Sequence, residues 1–294
     1  MSLSNPTFYE TINVGRSSFQ PALYDMNNVR KFVLQVVAEA TARVTPPVLE
    51  KSLVGNYGLT KKEVKAVIRD LVADGELVYT YELGSTFLEI SFNRPVRVSA
   101  HVVLKPPQHR YQPETGDVVI AIKPGAAFGD GRHPTSRLAV RGIEYVLNDG
   151  VSDWTAGESR VLDIGTGSGI LVLTAVAMGI DKGVGIDIDP AARSEATENV
   201  SLNRLGNRIE ISEQSLEAFE GSCNVVTANL RYPTLKKICS ILRKITSPEG
   251  FVVFSGIRSH ELTGLKEAYE EKGFQSVWQE QSHDWAGVAF KRIV

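Results

Sequence analysis

Cysteine, methionine and tryptophan are scarce in this chain of 294 residues, with two, three and three copies. Two cysteines are too few for a disulfide framework, and Cys223 and Cys239 lie too far apart for a Cys-x-x-Cys motif. Each sits among apolar residues, which predicts buried free thiols in a reducing cytoplasm. The five histidines (His101, His109, His133, His260 and His283) have no metal-ligand spacing, so no metal site is expected. The longest apolar stretch, around Ile170 to Met178, is far short of the ~20 residues that a membrane span needs. The first residues mix Ser, Asn, Pro and Tyr in place of the apolar core of a signal peptide, and a cytoplasmic location is the resulting expectation. An excess of either charge is missing too. With 32 Lys and Arg against 34 Asp and Glu the formal net charge is −2, so no chain-wide basic field announces a nucleic-acid partner. The length favours two unequal domains over one.

What is present begins with helical periodicity. Residues 1–25 carry no period and read as a tail. Val29, Phe32, Val33, Val36, Val37 and Ala40 then share one helical face. Thr45 before Pro46 predicts an N-cap and a second helix, which Gly55 or Gly58 would end. Thr60-x-x-Glu63 is a capping box opening a third helix with the apolar stripe Val64, Val67, Ile68, Leu71 and Val72. Two strand-like runs, Leu77 to Leu83 and Phe87 to Phe92, flank Gly84-Ser85, a type II′ hairpin signal. In the second run Leu88, Ile90 and Phe92 alternate with Glu89 and Ser91.

Three helices and a hairpin in that order resemble a winged helix-turn-helix domain over residues 26–92. On its third helix Lys61, Lys62, Lys65 and Arg69 lie off the apolar stripe, where a recognition helix would meet a groove. Residues 60–92 are therefore the candidate nucleic-acid surface. The same face suits a protein-docking module equally well, and Glu63 and Asp70 dilute its charge. Residues 93–122 alternate strand-like runs with a Pro-rich loop from Lys105 to Pro113. Over 123–294 strands and helices alternate, the signature of a parallel sheet covered by helices.

Val161 to Ile164 reads as a buried strand, Gly165-Thr166-Gly167-Ser168-Gly169 as a loop, and Ile170 to Met178 as a helix. Glycine lets backbone approach a ligand closely, and a helix N-terminus offers unpaired N–H groups to an anion. Several cofactors use such a loop. The dinucleotide fingerprint needs glycine at position 170, where this chain has Ile170, which demotes NAD to the alternative. Asp163 places a carboxylate at the strand end, awkward for a pyrophosphate and suited to the ammonium and sulfonium charges of S-adenosylmethionine. Gly183 to Asp187 is a second strand ending in an acid, placed for both ribose hydroxyls. Asp189-Pro190 reads as the cap of the next helix.

Asn224 to Leu230 is a strand that runs into Asn229 at its carboxyl end, where open α/β sheets bind ligands. Methyl transfer to an amine moves positive charge onto nitrogen. The Asn229 amide oxygen and the following carbonyl could accept the amine's N–H bonds, aim its lone pair and stabilise that charge. Upstream, the loop from Lys123 to Ser136 combines Gly125, Gly129 and Gly131 with Phe128 and a Pro-Thr-Ser helix start. Turn chemistry explains those glycines more readily than the whole combination.

These segments together resemble the PrmA family, the methyltransferases of large-subunit ribosomal protein eleven. The matching stretches are Pro124 to Ser136, Val161 to Gly169, Gly185 to Pro190, Val225 to Leu230, Ser255-Gly256-Ile257 and Asp284-Trp285. They cover roughly residues 93–294, about two thirds of the chain. The resemblance implies an α/β, class I Rossmann-like methyltransferase fold. Its sheet would have seven mostly parallel strands, with the last, about Trp285 to Arg292, antiparallel. It carries cofactor contacts to Ser136, Gly165, Asp187 and Asn229. The expected S-adenosylmethionine set is Phe128, Ser136, Asp163, Gly165, Gly167, Gly169, Asp187, Ile188, Ser215 and Asn229, with Asn229 also catalytic. Where the family usually has Thr, this chain has Asp130 and Ser136, and Arg132 is atypical as well; Asp130 and Arg132 would retune the substrate entrance. Residues 26–92 do not read as the small α/β module with which the family grips its ribosomal substrate.

The expected activity is S-adenosylmethionine-dependent methylation of an amine nitrogen on a protein, a ribosomal protein among the candidates. One alternative is a nucleic-acid methyltransferase guided by the winged helix. The residues after Asn229 (Leu230, Arg231, Tyr232 and Pro233) depart from the Asn-Pro-Pro-aromatic motif common in that class. The other alternative is a non-catalytic regulator that senses the cofactor, against which the intact Asp163, Gly167, Asp187 and Asn229 set argues.

Overall fold

The computed structural model describes residues 26–40, 43–82, 84–123, 125–148 and 158–293; the expected tail (1–25) and Pro124 lie outside them. The chain divides into two compact units, one ending at Ile90 and the other beginning at Ser91.

The amino-terminal unit contains helices α1 (Met26–Glu39), α2 (Pro46–Tyr57) and α3 (Lys61–Ala73), then strands β1 (Leu77–Glu82) and β2 (Ser85–Ile90). The apolar stripes anticipated from periodicity meet in one core: Val29, Val33, Val36 and Val37 of α1 pack with Val64, Val67, Ile68 and Leu71 of α3 and with Leu77 and Leu88 of the hairpin. The Thr60–Glu63 capping box closes both ways, Glu63 N–H donating to Thr60 Oγ1 at 3.3 Å and Thr60 N–H to the Glu63 carboxylate at 2.7 Å. An isolated antiparallel bridge joins Val44 to Leu88.

Thr45 occupies the N-cap of α2 with Pro46 and Pro47 in its first turn, as expected, although its side chain makes no capping hydrogen bond. Two local expectations need correction. The hairpin register pairs Glu82 with Ser85, so Ser85 belongs to β2 and not to the turn. Gly84 has φ 79°, a backbone conformation that favours glycine. Phe92 continues the alternation of β2 in sequence only. It is buried in the second unit, with the Arg137 guanidinium 5.8 Å from its ring centre.

The second unit opens with a three-stranded sheet, β3 (Val96–Arg97), β4 (Val102–Lys105) and β5 (Val118–Ala121), in which β4 and β5 run parallel. After α4 (Pro134–Asn148) come β6 (Arg160–Ile164), α5 (Ile170–Ala177), β7 (Lys182–Ile186), α6 (Pro190–Leu202), β8 (Ile209–Ser212) and β9 (Cys223–Asn229). Then follow α7 (Tyr232–Ile245), β10 (Thr246–Arg258), α8 (Leu262–Glu270), β11 (Phe274–Ser282) and β12 (Trp285–Arg292). The large sheet has the order β11-β12-β10-β9-β6-β7-β8. The pairs from β10 through β8 are parallel, and β12 is antiparallel to both of its neighbours. Helix α5 is largely apolar, and Ile170 to Val176 are all buried.

Cys223 and Cys239 are buried free thiols, and burial pushes both up to about 11. No helix among the described residues is long and apolar enough to cross a membrane. Under the β10–β12–β11 face, Tyr269 packs its fully buried ring against Phe254, Phe274 and Phe290, at centroid distances of 5.1, 5.5 and 5.0 Å. Its hydroxyl donates to the Leu235 carbonyl at 2.8 Å, so a polar atom is buried without loss. Replacing Tyr269 by Ala should cost the carboxy-terminal unit about 3–5 kcal/mol, and Phe only about 1 kcal/mol. Denaturant melts of the two variants check the ranking.

Candidate active site

The parallel register lines up the carboxyl ends of four strands. Ile186 of β7 pairs with Ile164 of β6, Ile164 with Ala228 of β9, and Asn229 with Ser255 of β10. The residues at this edge are therefore Asp187, Gly165, Asn229 and Ser255, side by side. The chain adds β7 and β8 on one side of β6, then β9 and β10 on the other. This makes a topological switch point, where open α/β sheets bind ligands.

The glycine loop is shaped from below by Asp163. This carboxylate is fully buried and accepts hydroxyl hydrogen bonds from Thr166 and Thr227, both at 2.7 Å. The carboxylate also faces the backbone of Val172, in the first turn of α5. Burial in apolar surroundings raises the carboxyl to about 6, and the hydrogen bonds hold it from going higher. The expectation that Asp163 faces a ligand is thus revised: its partners leave it as the brace of the loop and the anion at the head of α5. Gly169 likewise turns inward. It is the N-cap of α5 at φ 83°, and a Cβ there would press on Ala196 of α6. Gly167, at φ 54°, permits the closest approach in the loop, because a Cβ would overlap the Phe128 carbonyl oxygen. That carbonyl accepts the Ser168 N–H at 2.9 Å, so the upstream loop is clamped onto the glycine loop.

Asp187 accepts the N–H of Gly167 at 2.9 Å and of Asp189 at 3.0 Å, one on each carboxylate oxygen. Each oxygen keeps a lone pair, and both are oriented by the backbone. Asp189 caps α6 through the Ala191 N–H at 2.9 Å, the structural role its sequence context suggested. Two exposed apolar side chains border this edge: Ile188 is 90% exposed and Phe128 54%. Arg193 steadies Ile188 by donating to the Asp187 and Ile188 carbonyls. Ser136, in the first turn of α4, is fully buried and its Oγ has no hydrogen-bond partner. Ser215 is exposed and caps a short 3-10 turn through the Ala218 N–H at 3.3 Å.

Around Asn229 the structure assembles residues to which the sequence had assigned no role. Asn229 Nδ2 donates to Thr135 Oγ1 at 3.1 Å, and Thr135 Oγ1 lies 2.8 Å from His133 Nδ1. Because the Thr135 backbone N–H also points at that nitrogen, Nδ1 is the acceptor and the hydroxyl donates to it. This sequence of donors orients the Asn229 amide with Oδ1 as its acceptor end. Gly256, at φ 85°, keeps that end uncovered: a Cβ there would stand 2.9 Å from Asn229 Oδ1 and 2.6 Å from the Leu230 carbonyl oxygen. The His133 ring packs between Phe128 and Trp285 at 5.2 and 5.1 Å, and the Arg258 guanidinium lies 3.9 Å over Trp285. His133, Thr135, Gly256 and Trp285 all fall in motifs visible in the sequence. Only their proximity to Asn229 gives them a place. Asp130 and Arg132 pair with one another at 3.1 Å.

A mostly parallel seven-stranded sheet with β12 reversed, and a glycine loop at its switch point, define the class I Rossmann-like methyltransferase fold. A crystal structure of ribosomal protein L11 methylase from Lactobacillus delbrueckii subsp. bulgaricus shares it, with a TM-score of 0.60 and 30% identity over 68% of this chain and all of that one. A family model, Ribosomal protein L11 methyltransferase (PrmA), matches residues 89–293, and the chain belongs to that family. Curated relatives of that name include those of Heliobacterium modesticaldum (33% identity over 69% of this chain and 62% of the relative) and Geobacter metallireducens (39% over 67% and 62%). The chain thus spans about three fifths of the length of these relatives.

The state of Asp163 gives a pH signature. A carboxyl near 3.9 when unfolded and about 6 when folded is better protonated in the native state, so its contribution to stability falls as pH rises through that window. Relative to Asp163→Asn, the wild type should lose about 2–3 kcal/mol between pH 4 and pH 6 and then level off. A flat difference between the two unfolding free energies would place the carboxyl at its ordinary value.

Proposed function

We propose that the protein is an S-adenosylmethionine-dependent methyltransferase acting on an amine nitrogen of a protein, with a ribosomal protein as the substrate class. The observation that carries this reading is the row of Asp187, Gly165 and Asn229 on adjacent strand ends, with the unpartnered Ser136 hydroxyl buried in the first turn of α4. Buried hydroxyls are rarely left without a partner, and a polar cofactor group would supply one. The names of the relatives support the substrate class.

S-adenosylmethionine supplies an electrophilic methyl group on a sulfonium. Asp187 would accept the two ribose hydroxyls, while Ile188 and Phe128 offer apolar surface to the adenine. Gly165 and Gly167 let the backbone come close, and Ser136 gives the hydroxyl that the family carries as Thr. Asn229 Oδ1 and the Leu230 carbonyl accept the N–H bonds of a neutral amine and point its lone pair along one line. Both are dipoles with their negative ends toward the nitrogen that gains charge, so they favour the transition state over the ground state. Phe128, His133 and Trp285 form a wall that fits the aliphatic stem of a lysine.

The amino-terminal unit lies almost wholly outside the family match, which begins at residue 89. With three helices, a hairpin and the Val44–Leu88 bridge, we assign it a winged-helix arrangement that docks the protein substrate. On its α3 face Lys61 pairs with Glu50 at 3.5 Å and Arg69 with Asp70 at 3.4 Å. That compensation of two of the four cations favours a protein over a nucleic acid.

Calorimetry should show binding of S-adenosylhomocysteine and none of NAD, and Asp187→Ala should weaken the former by roughly 1.5–3 kcal/mol. Heat with NAD alone would overturn the cofactor. In a transfer assay with labelled cofactor and fractionated ribosomal proteins, Asn229→Ala should lower kcat about a hundredfold while cofactor affinity falls far less. Equal losses would make Asn229 a cofactor-site residue only.

A further inference from the structure

Helix α6 holds the segment ahead of α4 by three side chains spaced four residues apart. Glu195, Asn199 and Asn203 lie on one helical face. Asn203 Oδ1 accepts the Ala121 N–H at 2.8 Å, and its Nδ2 donates to the Ala121 carbonyl at 2.7 Å. Asn199 Oδ1 accepts the Lys123 N–H at 2.9 Å, and its Nδ2 donates to the Ser168 carbonyl in the glycine loop at 2.9 Å. Glu195 accepts the Ala126 N–H at 2.8 Å and the Ala127 N–H at 3.0 Å. The geometry is commensurate. Four helical residues advance about 6 Å, close to the roughly 6.6 Å of two extended residues, which matches the step from Ala121 to Lys123; Glu195 then meets Ala126 and Ala127, where the chain bends.

The two asparagines bind the end of β5 and the glycine loop. Glu195 does something else. Its two donors immediately precede Phe128, whose ring is 54% exposed beside the glycine loop. A Cβ at Gly125 would overlap the Glu195 carboxyl group, so Gly125 and Glu195 are fitted to one another. A stretch with glycine at 125, 129 and 131 has many backbone conformations to lose, and a carboxylate taking two N–H groups removes much of that freedom before any ligand arrives.

We propose that Glu195 is a positioning residue for the cofactor: it fixes the backbone ahead of Phe128 and so sets that ring against the cofactor cleft. The proposal rests on the cofactor reading above. It accounts for a carboxylate contact from α6 to the loop that neither the sheet nor the Asn229 site requires.

The test uses the full chain, with S-adenosylhomocysteine as the probe and amide exchange over residues 125–131 as a ligand-free readout. Glu195→Ala should weaken affinity roughly tenfold, the scale of one or two net hydrogen bonds, and speed exchange in that stretch. Its thermal midpoint should stay close to that of the wild type. In turnover the loss should appear in the cofactor KM with kcat kept. Glu195→Gln retains one acceptor oxygen and should recover part of the affinity. Gly125→Ala should weaken binding when Glu195 is present and cost little in the Glu195→Ala background. Unchanged affinity or exchange in Glu195→Ala would overturn the proposal, as would a Gly125→Ala loss of equal size in both backgrounds. Wild-type protein that takes up no S-adenosylhomocysteine would instead remove the cofactor reading, and the role of Glu195 with it.

Discussion

One buried carboxylate joins the parts on which the candidate site depends. Asp163, next to last in β6, accepts hydroxyl hydrogen bonds from Thr166 in the glycine loop and Thr227 on β9, and faces the first turn of α5. A charge without water needs several donors, and one of those here, Thr227, stands 64 residues from Asp163 in sequence. The loop cannot relax without leaving that charge uncompensated. Its conformation is therefore set by tertiary structure below it, and the upper surface is left for a ligand.

The upper surface follows from register. Parallel pairing of β7, β6, β9 and β10 places Asp187, Gly165, Asn229 and Ser255 in one row, and each carries a different property. An acid, a bare backbone and an amide stand at neighbouring strand spacings of roughly 4.8 Å. Two supports come from the sides. From α4, Thr135, itself oriented by His133, turns the Asn229 amide; from α6, Glu195 pins the loop that carries Phe128, while Asn199 and Asn203 hold the end of β5 and the glycine loop. The base of the site is buried and hydrogen-bonded, and its rim carries the exposed Phe128 and Ile188 and the Asp130–Arg132 pair.

Much of the scaffold was legible because local periodicity and burial coincide. The α3 stripe of Val64, Val67, Ile68 and Leu71 is its buried face, and the largely apolar run from Ile170 to Val176 is buried throughout. Strand β12 begins at Trp285 and ends at Arg292, as the family resemblance implied. The misreadings have physical causes. Gly84 marks a turn, but the pairing of Ser85 with Glu82 puts Ser85 in the strand. Phe92 keeps the alternation of β2 while its burial partners belong to the other unit. An acid at a strand end reads as a ligand for a cation, and only the Thr166 and Thr227 hydroxyls show that Asp163 turns downward.

The sequence by itself determined the kinds of element and their order, the glycine loop, and the acids and amide at the ends of three strands. These depend on near neighbours: a strand needs alternating or apolar residues, a tight turn needs glycine, and a cap needs an oxygen next to free N–H groups. What tertiary structure alone decided is which of those polar groups faces outward. Asp163 lies within β6 and Asp187 just beyond β7, two carboxylates of the same chemistry, yet one is buried among hydroxyls and the other is held open by the Gly167 and Asp189 N–H groups. Thr135, His133, Gly256 and Glu195 acquire their roles in the same way. Each acts on a residue many positions away, and such distances close only when the sheet register and helix packing are in place.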